Sequence, residues 1–526
     1  MPRLLILILL LTTPLGARKF LTDDPLPHEP KPRDVGTPKN RKLSDIYDLF
    51  SHQFGETGQR QPSRLSKQPP IRAQGINTVE NPFDRAWWEP RHYWRRLTID
   101  ELKRGPGNSS APSTRGKWTI VGAKVEGVTP GFQMIDAGKR RYFVKFDPLS
   151  NPEMATAADQ IASRLFYAMG YHVPENYLIY FKIDQLELGN VELADAAGKT
   201  RKMTNRDLYE ILLKVPKTKD GRYRGTASLS LPGKPIGPPR YYGTRSDDPN
   251  DTVLHEHRRD QRALRVLCAW LGHEDSRSIN NIDIIAQMEG VRFIKHYLLD
   301  FGSTLGSAST KANSPRSGLP FFDWTESAKN FFSLGLHVPY VDFARYPNLP
   351  SVGRLDSKTF DPERWVPEYP NPAFRNARPD DDFWAAKQIM SLRDDEIGAI
   401  VDTGEYSDPR AAAWVKKCLI ERRDKVGRAF FAQVLPVDRF LIQAGRLAWE
   451  DLSGGTEPVG VQWHHFDNEG EKRMPIVGAT SAQLPEFSAT GFLCAELSRA
   501  AKPTQKVFVY LRRRASAEVA GVEREW

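Results

Sequence analysis

Hydrophobic and polar positions change period several times along this chain, and each change marks an element. From Lys117 the run K-W-T-I-V-G-A-K-V-E-G-V-T-P-G-F-Q-M-I-D reads as two strands about a turn at Gly127-Val128-Thr129-Pro130-Gly131. A third strand, Arg141 to Asp147, alternates apolar and polar positions and sets Lys145 among apolar neighbours. The period then lengthens to that of a helix. Ala158, Ile161, Ala162, Leu165 and Met169 form one stripe of a helix that opens at Asn151-Pro152-Glu153, with Asn151 as its cap, and stops at Gly170. Val173 to Phe181 is another strand. Leu254 to Leu271 is helical, with Leu264, Leu267, Cys268 and Leu271 on one face, and Phe293, Ile294, Tyr297, Leu298 and Leu299 make a buried strand after a turn at Met288-Glu289-Gly290. Asp394 to Gly404 is a short helix. Ser407-Asp408-Pro409 caps a long one, in which Trp414, Cys418, Leu419, Val426 and Phe430 recur at helical spacing. Beyond Asp438 the pattern returns to strands, at 459–463, 491–497 and 507–511.

These shifts predict five regions. Residues 1–17 carry one arginine, an apolar core, Pro14 and small residues at Gly16 and Ala17, the pattern of a secretory signal peptide, so a secreted or periplasmic location is expected. Residues 18–80 are rich in proline and charge, with one short helix around Leu43 to Phe54, and read as a flexible linker. Residues 81–181 begin with Trp87, Trp88, Tyr93 and Trp94, aromatic rings costly to leave in water, which should brace the folded body; a carbohydrate-stacking platform is the rival reading. Residues 182–437 should form a helical part with insertions, and 438–526 a small β-sandwich-like domain, adhesive or structural in kind, offering a surface to a partner in the cell envelope.

Composition narrows the classes. A chain of 526 residues has room for two or three domains. Its net charge of +10 comes from lysines and arginines spread along the chain, so solvated surface is expected rather than nucleic-acid binding. After the signal segment no apolar run is long enough to span a bilayer. The three cysteines, Cys268, Cys418 and Cys494, sit in apolar patterns and read as small buried hydrophobes rather than a disulfide framework. His255 and His257 are two apart on a helix and face different sides, which is wrong for a zinc pair; His464, His465 and Asp467 form an equally weak metal signal.

The chemistry concentrates between His273 and Gly306. Asp275 follows His273 by two residues, Arg277 comes two further on, and Asn280 stands five beyond the aspartate; Asp300-Phe301-Gly302 ends the buried strand. Phosphoryl transfer needs a carboxylate to orient the attacking hydroxyl and hard oxygen ligands for a magnesium ion that keeps several waters. In that chemistry Asp275 orients the acceptor, Asn280 and Asp300 hold Mg²⁺, with Asn281 as the alternative ligand one residue later, and Arg277 neutralises charge on the moving group. The backbone of the turn at Gly127, Thr129 and Gly131 can bring N–H groups against phosphate oxygens.

The spacing H-x-D-x-[KR]-x-x-N followed by D-F-G resembles the protein-kinase-like superfamily, and its atypical and secreted branches most. The resemblance covers residues 117–310 by motif and extends toward 435 by layout. It implies an α+β, two-lobed protein-kinase-like fold carrying the β domain as an appendage, and an ATP- and Mg²⁺-dependent phosphotransferase acting on a hydroxyl of a protein, a glycan or a small alcohol. It also implies that Lys145 holds ATP phosphates and that a helical acid pairs with it. Two residues compete for that place: Asp159, mid-helix with a short side chain, and Glu153, longer but in the first turn. His273 is structural in such sites. No Ala-Pro-Glu follows Asp300, which puts an ordinary peptide-docking segment in doubt. A catalytically silent kinase-fold scaffold and transfer of a nucleotidyl group remain the other readings.

Overall fold

The computed structural model describes residues 18–26, 28, 31–43, 58–63, 66–83, 85–124, 130–194, 200–288, 290–320, 324–334, 336–486, 488 and 490–526. The signal segment expected at 1–17, residues 44–54 of the expected short helix, and Gly127, Val128 and Thr129 of the glycine-bearing turn lie outside the described residues. The chain divides into two compact units, His28–Ile76 with Pro82–Gln433, and Met1–Pro27 with Asn77–Asn81 and Val434–Trp526. The fold is α+β: in the larger unit a six-stranded sheet is followed by helices, and the smaller unit is built from strands.

In the larger unit, β1 (Trp118–Lys124), β2 (Gly131–Ile135), β3 (Arg141–Phe146), β4 (Asn176–Phe181), β5 (Leu186–Leu188) and β6 (Tyr223–Leu229) form one sheet in the order β4-β6-β3-β2-β1-β5. All neighbours are antiparallel except β1 and β5. Trp118, Ile120, Phe132, Met134, Tyr142, Val144 and Phe146 alternate onto one buried face, as the period-2 pattern requires. The region after β4, read as an insertion, contributes β6 to the middle of this sheet. Tyr223, Ala227 and Leu229 alternate onto the core face of β6, but Gly225 and Ala227 make that face a weak signal, and on the other face Arg224 is buried and donates to Thr156 Oγ1, Gly404 O and Glu405 O at 2.9, 2.5 and 2.7 Å.

Helix α1 (Met154–Ala168) buries the predicted stripe completely. Its start differs from expectation. Glu153 is the N-cap residue, in a left-handed conformation and with no side-chain cap, and Asn151 instead donates to Pro350 O. The capping is done by Asp147 at the end of β3, whose carboxylate accepts from the Thr156 backbone N–H at 2.8 Å and from Thr156 Oγ1 at 2.6 Å. A carboxylate there suits the positive end of the helix dipole.

The helical part is built on α2 (Arg259–Leu271), α3 (Pro379–Met390) and α4 (Pro409–Phe431). Helix α3 begins at the end of a proline-rich stretch, 340–380. Asp380, Asp381 and Asp382, which resemble a solvated turn in sequence, are buried because Arg259, Arg262 and Arg265 meet them from α2 at 2.6–3.3 Å. After α2, β7 (Asn281–Met288) and β8 (Val291–Leu298) pair as the predicted hairpin, closed by two residues of which Gly290 has φ +79°. Trp87 stacks on His296 at 3.5 Å, and Trp88 packs edge-on against Trp384 while its Nε1 donates to Met169 O. Both indoles are buried, so they brace the body and offer no platform to a sugar.

In the smaller unit, β9 (Val437–Gln443) and β10 (Arg446–Asp451) form a hairpin that shares one apolar core with the sheet of β11 (Gly460–Asp467), β12 (Lys472–Pro475), β13 (Phe492–Arg499), β14 (Lys502–Arg513) and β15 (Ala517–Glu525). Two stretches expected to be flexible linker belong to this unit. Phe20 packs among Phe466, Phe492 and Tyr510, and Thr78 bonds along β15 through Ala520 O and the Val522 N–H. In the larger unit Val35 is buried with Ile236 and Ile294. Few apolar residues in a proline-rich segment suffice to hold it when each finds a core. The three cysteines are buried and free. His464, expected in a loop, lies in β11 and pairs with Glu496.

Arg262 and Asp381 are fully buried, so Arg262→Ala removes one of the two guanidinium groups that meet the Asp381 carboxylate, Arg259 being the other, and leaves the interior short of a positive charge. Urea unfolding should show a loss of about 3–5 kcal/mol; a loss under about 1 kcal/mol would mean that the α2–α3 pairs do not hold the helices together.

Candidate active site

Three chain segments far apart in sequence meet at one cavity of about 400 Å³ beneath the β1–β3 sheet. Lys145 reaches it from β3, Asp159 from α1 and Asp300 from the segment after β8. Strand alternation sends Lys145 to the face opposite Val144 and Phe146, toward the helix. Gly131 lies across the ladder from Lys145, and a Cβ there would stand 2.5 Å from the Val144 carbonyl oxygen, so only glycine lets the strands close at the cavity wall.

Lys145 Nζ donates to Asp300 Oδ1 at 2.6 Å. Burial works against the ammonium, but the carboxylates of Asp300, Asp159 and Asp275 outweigh it and hold its pKa above the usual lysine range. Asp300 itself has φ +59° and ψ +56°, a left-handed conformation unfavourable for a residue with a side chain. That turn aims its carboxylate into the cavity while Phe301 goes the other way, into the interior. There Phe301 packs on Phe166 of α1 at 5.0 Å and on His273 at 6.1 Å, and Phe166 meets His273 at 5.9 Å. Three rings from three segments thus lock the Asp300 turn, the helix bearing Asp159 and the loop bearing Asp275. Burial holds the His273 imidazole below its usual pKa, so it is neutral at physiological pH, in keeping with the structural role expected of it.

Asp159 is buried and one of its oxygens, Oδ2, has no hydrogen-bond partner. Burial pushes its pKa up to about 7, against the pull of Lys145. Glu153, its rival, does not join the cavity: as the residue preceding α1 it turns away, and its carboxylate accepts from the Ser407 backbone N–H at 2.9 Å.

The loop leaves α2 at Gly272, left-handed at φ +64°, with the His273 N–H closing back on Cys268 O. Asp275 is close enough to Lys145 to raise its pKa, and lies outside the cavity lining itself. Arg277 is not turned to the cavity either: its Nε is 2.5 Å from Asp275 Oδ1 and its guanidinium covers the Tyr369 ring at 4.6 Å. Asn280 donates its Nδ2 to Asp275 O, and its own carbonyl accepts from the Leu299 N–H, tying the loop to the residue before Asp300. Asn281, the alternative ligand, is buried and spent on Tyr241 OH and Arg277 O.

Sequence reasoning missed the supports of this site. Asp147, Thr156 and Arg224 fix α1 against the sheet, and an aspartate at a strand end just before a helix was the available signal. Tyr241 fixes Asn281 and lies in a Gly- and Pro-rich stretch with no periodicity to announce it. Lys234 pairs in a short strand with Ile285, and Arg245 is buried on Asp283, so neither serves the cavity. His255 and His257 bond separately to Asp251 and Gln59.

The donor set suits a hard cation with phosphate oxygens. Among the described residues no group of three or more His, Cys, Asp or Glu side chains is arranged to hold a metal. The cavity nevertheless presents the Asp300 carboxylate and the unpartnered Asp159 oxygen, and Mg²⁺ needs only one or two carboxylates beside substrate phosphates and water.

No family model matches the chain, and no curated protein does. Two solved structures of the Golgi casein kinase overlap it. One, with Mn/ADP bound, does so at 11% identity and TM-score 0.29 over 63% of this chain and 73% of that one. The other overlaps at 10% identity and TM-score 0.32, over 65% and 82%. Overlaps this loose assign no residue and no activity to this chain.

A carboxyl whose pKa rises on folding binds more protons in the native state, so its contribution is whole below about pH 4 and is lost as pH climbs through about 7. Asp159→Asn removes that loss. Relative to the unaltered protein, the variant should gain about 2–4 kcal/mol of stability between pH 5 and pH 8, read by urea unfolding at both. The same difference at both values would show that Asp159 is ionised throughout.

Proposed function

We propose that the protein is an ATP- and Mg²⁺-dependent phosphotransferase acting on a hydroxyl-bearing acceptor, exported from the cytoplasm as residues 1–17 suggest. One observation carries the reading: Lys145, Asp159 and Asp300, drawn from a strand, a helix and a post-hairpin turn, converge on one cavity of a size suited to a small ligand, with Asp275 close by. A fold has no packing reason to gather one ammonium and three carboxylates there.

In this reading the Lys145 ammonium binds the nucleotide phosphates, with Gly131 beside it in the cavity wall. Asp300 and Asn280 hold Mg²⁺, which when bound neutralises phosphate charge. Asn280 suits that place because its amide nitrogen is already committed to Asp275 O, which leaves the side-chain oxygen for the cation. Asp275 orients the acceptor hydroxyl and receives its proton. Arg277 holds one Asp275 oxygen at 2.5 Å and so fixes the direction of that carboxylate rather than contacting phosphate. Asp159 supplies Lys145 with a second carboxylate once Asp300 is engaged by the cation.

Calorimetric titration of the purified protein with ATP should show micromolar-range binding that requires Mg²⁺ and is lost in Lys145→Ala and Asp300→Ala. Asp275→Ala should leave ATP binding nearly intact while lowering transfer, or slow ATP hydrolysis in the absence of acceptor, by about 10²–10⁴-fold. Binding that survives both Lys145→Ala and Asp300→Ala would place the nucleotide elsewhere, and a folded protein that binds no ATP would favour a silent scaffold.

A further inference from the structure

The larger unit carries an apolar projection that the catalytic reading leaves unused. Helix Trp324–Phe332 ends in a turn in which Phe331, Phe332, Leu334 and Leu336 are 77%, 83%, 91% and 85% exposed, with Val338 and Phe343 about half exposed beyond them. Isolated exposed leucines are ordinary on a protein surface, but four in six successive positions are not.

The projection is ordered on its polar side. Glu326 Oε1 accepts from Lys329 Nζ at 3.0 Å and Glu326 Oε2 meets His337 Nε2 at 2.7 Å, so one carboxylate ties the helix to the strand of chain that returns from the turn. The His337 N–H donates to Ser333 Oγ at 2.8 Å, and the Leu334 and Leu336 N–H groups close on Phe331 O and Ser333 O. Arg364 covers Tyr340 at the base. The Leu334, Leu336 and His337 backbone donors are thereby satisfied inside the turn, while the Phe331, Phe332, Leu334 and Leu336 side chains are exposed. That is the condition a segment must meet to enter an apolar phase.

We infer that this turn inserts into the headgroup and acyl boundary of a lipid bilayer carrying anionic lipids, and holds the protein peripherally at a membrane surface. Two benzyl and two isobutyl groups offer more hydrocarbon than the single acyl chain that by itself gives only marginal binding, and charge supplies the second signal that stable anchoring needs. Glu326, Lys329, Asp342 and Arg345 balance around the turn, and the attraction comes from the chain as a whole, whose net charge of +10 is complementary to an anionic surface. A protein partner fits less well. A stable interface uses about 20–30 residues a side on a surface with matching shape, whereas here a narrow turn between Phe331 and Phe343 projects its side chains singly. A fluid bilayer needs no complementary cleft.

The test is co-sedimentation of the purified full chain with vesicles of phosphatidylcholine alone and of phosphatidylcholine mixed with phosphatidylserine. The unaltered protein should pellet with the mixed vesicles, less with the neutral ones, and less at high salt. A Phe331→Ser, Phe332→Ser, Leu334→Ser, Leu336→Ser variant should lose about tenfold or more of that affinity, with an unchanged thermal unfolding curve. As an independent readout, Leu334→Trp emission should move to shorter wavelength on vesicle addition and be quenched by brominated acyl chains. Equal pelleting by the fourfold variant, or Leu334→Trp emission that stays that of a solvated indole, overturns the inference. So does a concentration-dependent dimer abolished by the fourfold variant in the absence of lipid, which would assign the turn to self-association.

Discussion

Six paired side chains between two helices, five of them buried and Arg265 partly so, set the geometry on which the candidate site depends. Arg259, Arg262 and Arg265 recur every third residue along one face of α2, and Asp380, Asp381 and Asp382 fan out from the first turn of α3 to meet them. The three carboxylates also lie at the positive end of the α3 dipole. Burying so much charge returns little stability beyond what apolar packing would supply, because desolvation offsets most of the attraction. What it does supply is register: three guanidinium groups and three carboxylates match in one alignment only. Since α2 ends at Gly272 and hands the chain directly to His273 and Asp275, fixing the register of α2 fixes where the loop begins.

Much of this was legible because the signals were local. The alternation that placed Lys145 on a strand, the stripe that made α1 a helix, and the apolar run ending at Asp300 each depend on the period of one element packing against one core. The α2–α3 pairs were illegible for the opposite reason. Three successive aspartates read as a solvated turn until three arginines more than a hundred residues away are known to face them. The same holds for β6, where Arg224 at a polar position is buried by reaching Thr156 and the chain at Gly404 and Glu405, and for Phe20 and Val35, single apolar residues in proline-rich surroundings whose cores are supplied by other segments. Local pattern names an element; it does not name the partner that turns a polar stretch into an interior one.

Within the site, the choice between Asp159 and Glu153 turned on the same distinction. Side-chain reach favours Glu153 and position favours Asp159, and of the two only Asp159 lines the cavity. The helix begins one residue after Glu153, with that residue in a left-handed conformation that turns it toward Ser407. Asn280 and Asn281, adjacent and chemically identical, were likewise separated by backbone direction: the second begins β7 and faces the interior at Tyr241.

The Asp147 cap joins the strand of Lys145 to the helix of Asp159. Two hydrogen bonds donated by Thr156 to one carboxylate, backed by the Arg224 guanidinium on the same hydroxyl, make β3 and the first turn of α1 a single mechanical piece. Two charged residues that face each other across a cavity usually sit on parts that can separate. Here they ride together, as two teeth cut on one gear. Adjustment to a ligand therefore falls to the opposite wall, where Asp300 sits in a strained backbone conformation and the adjoining Phe301 is held by ring contacts.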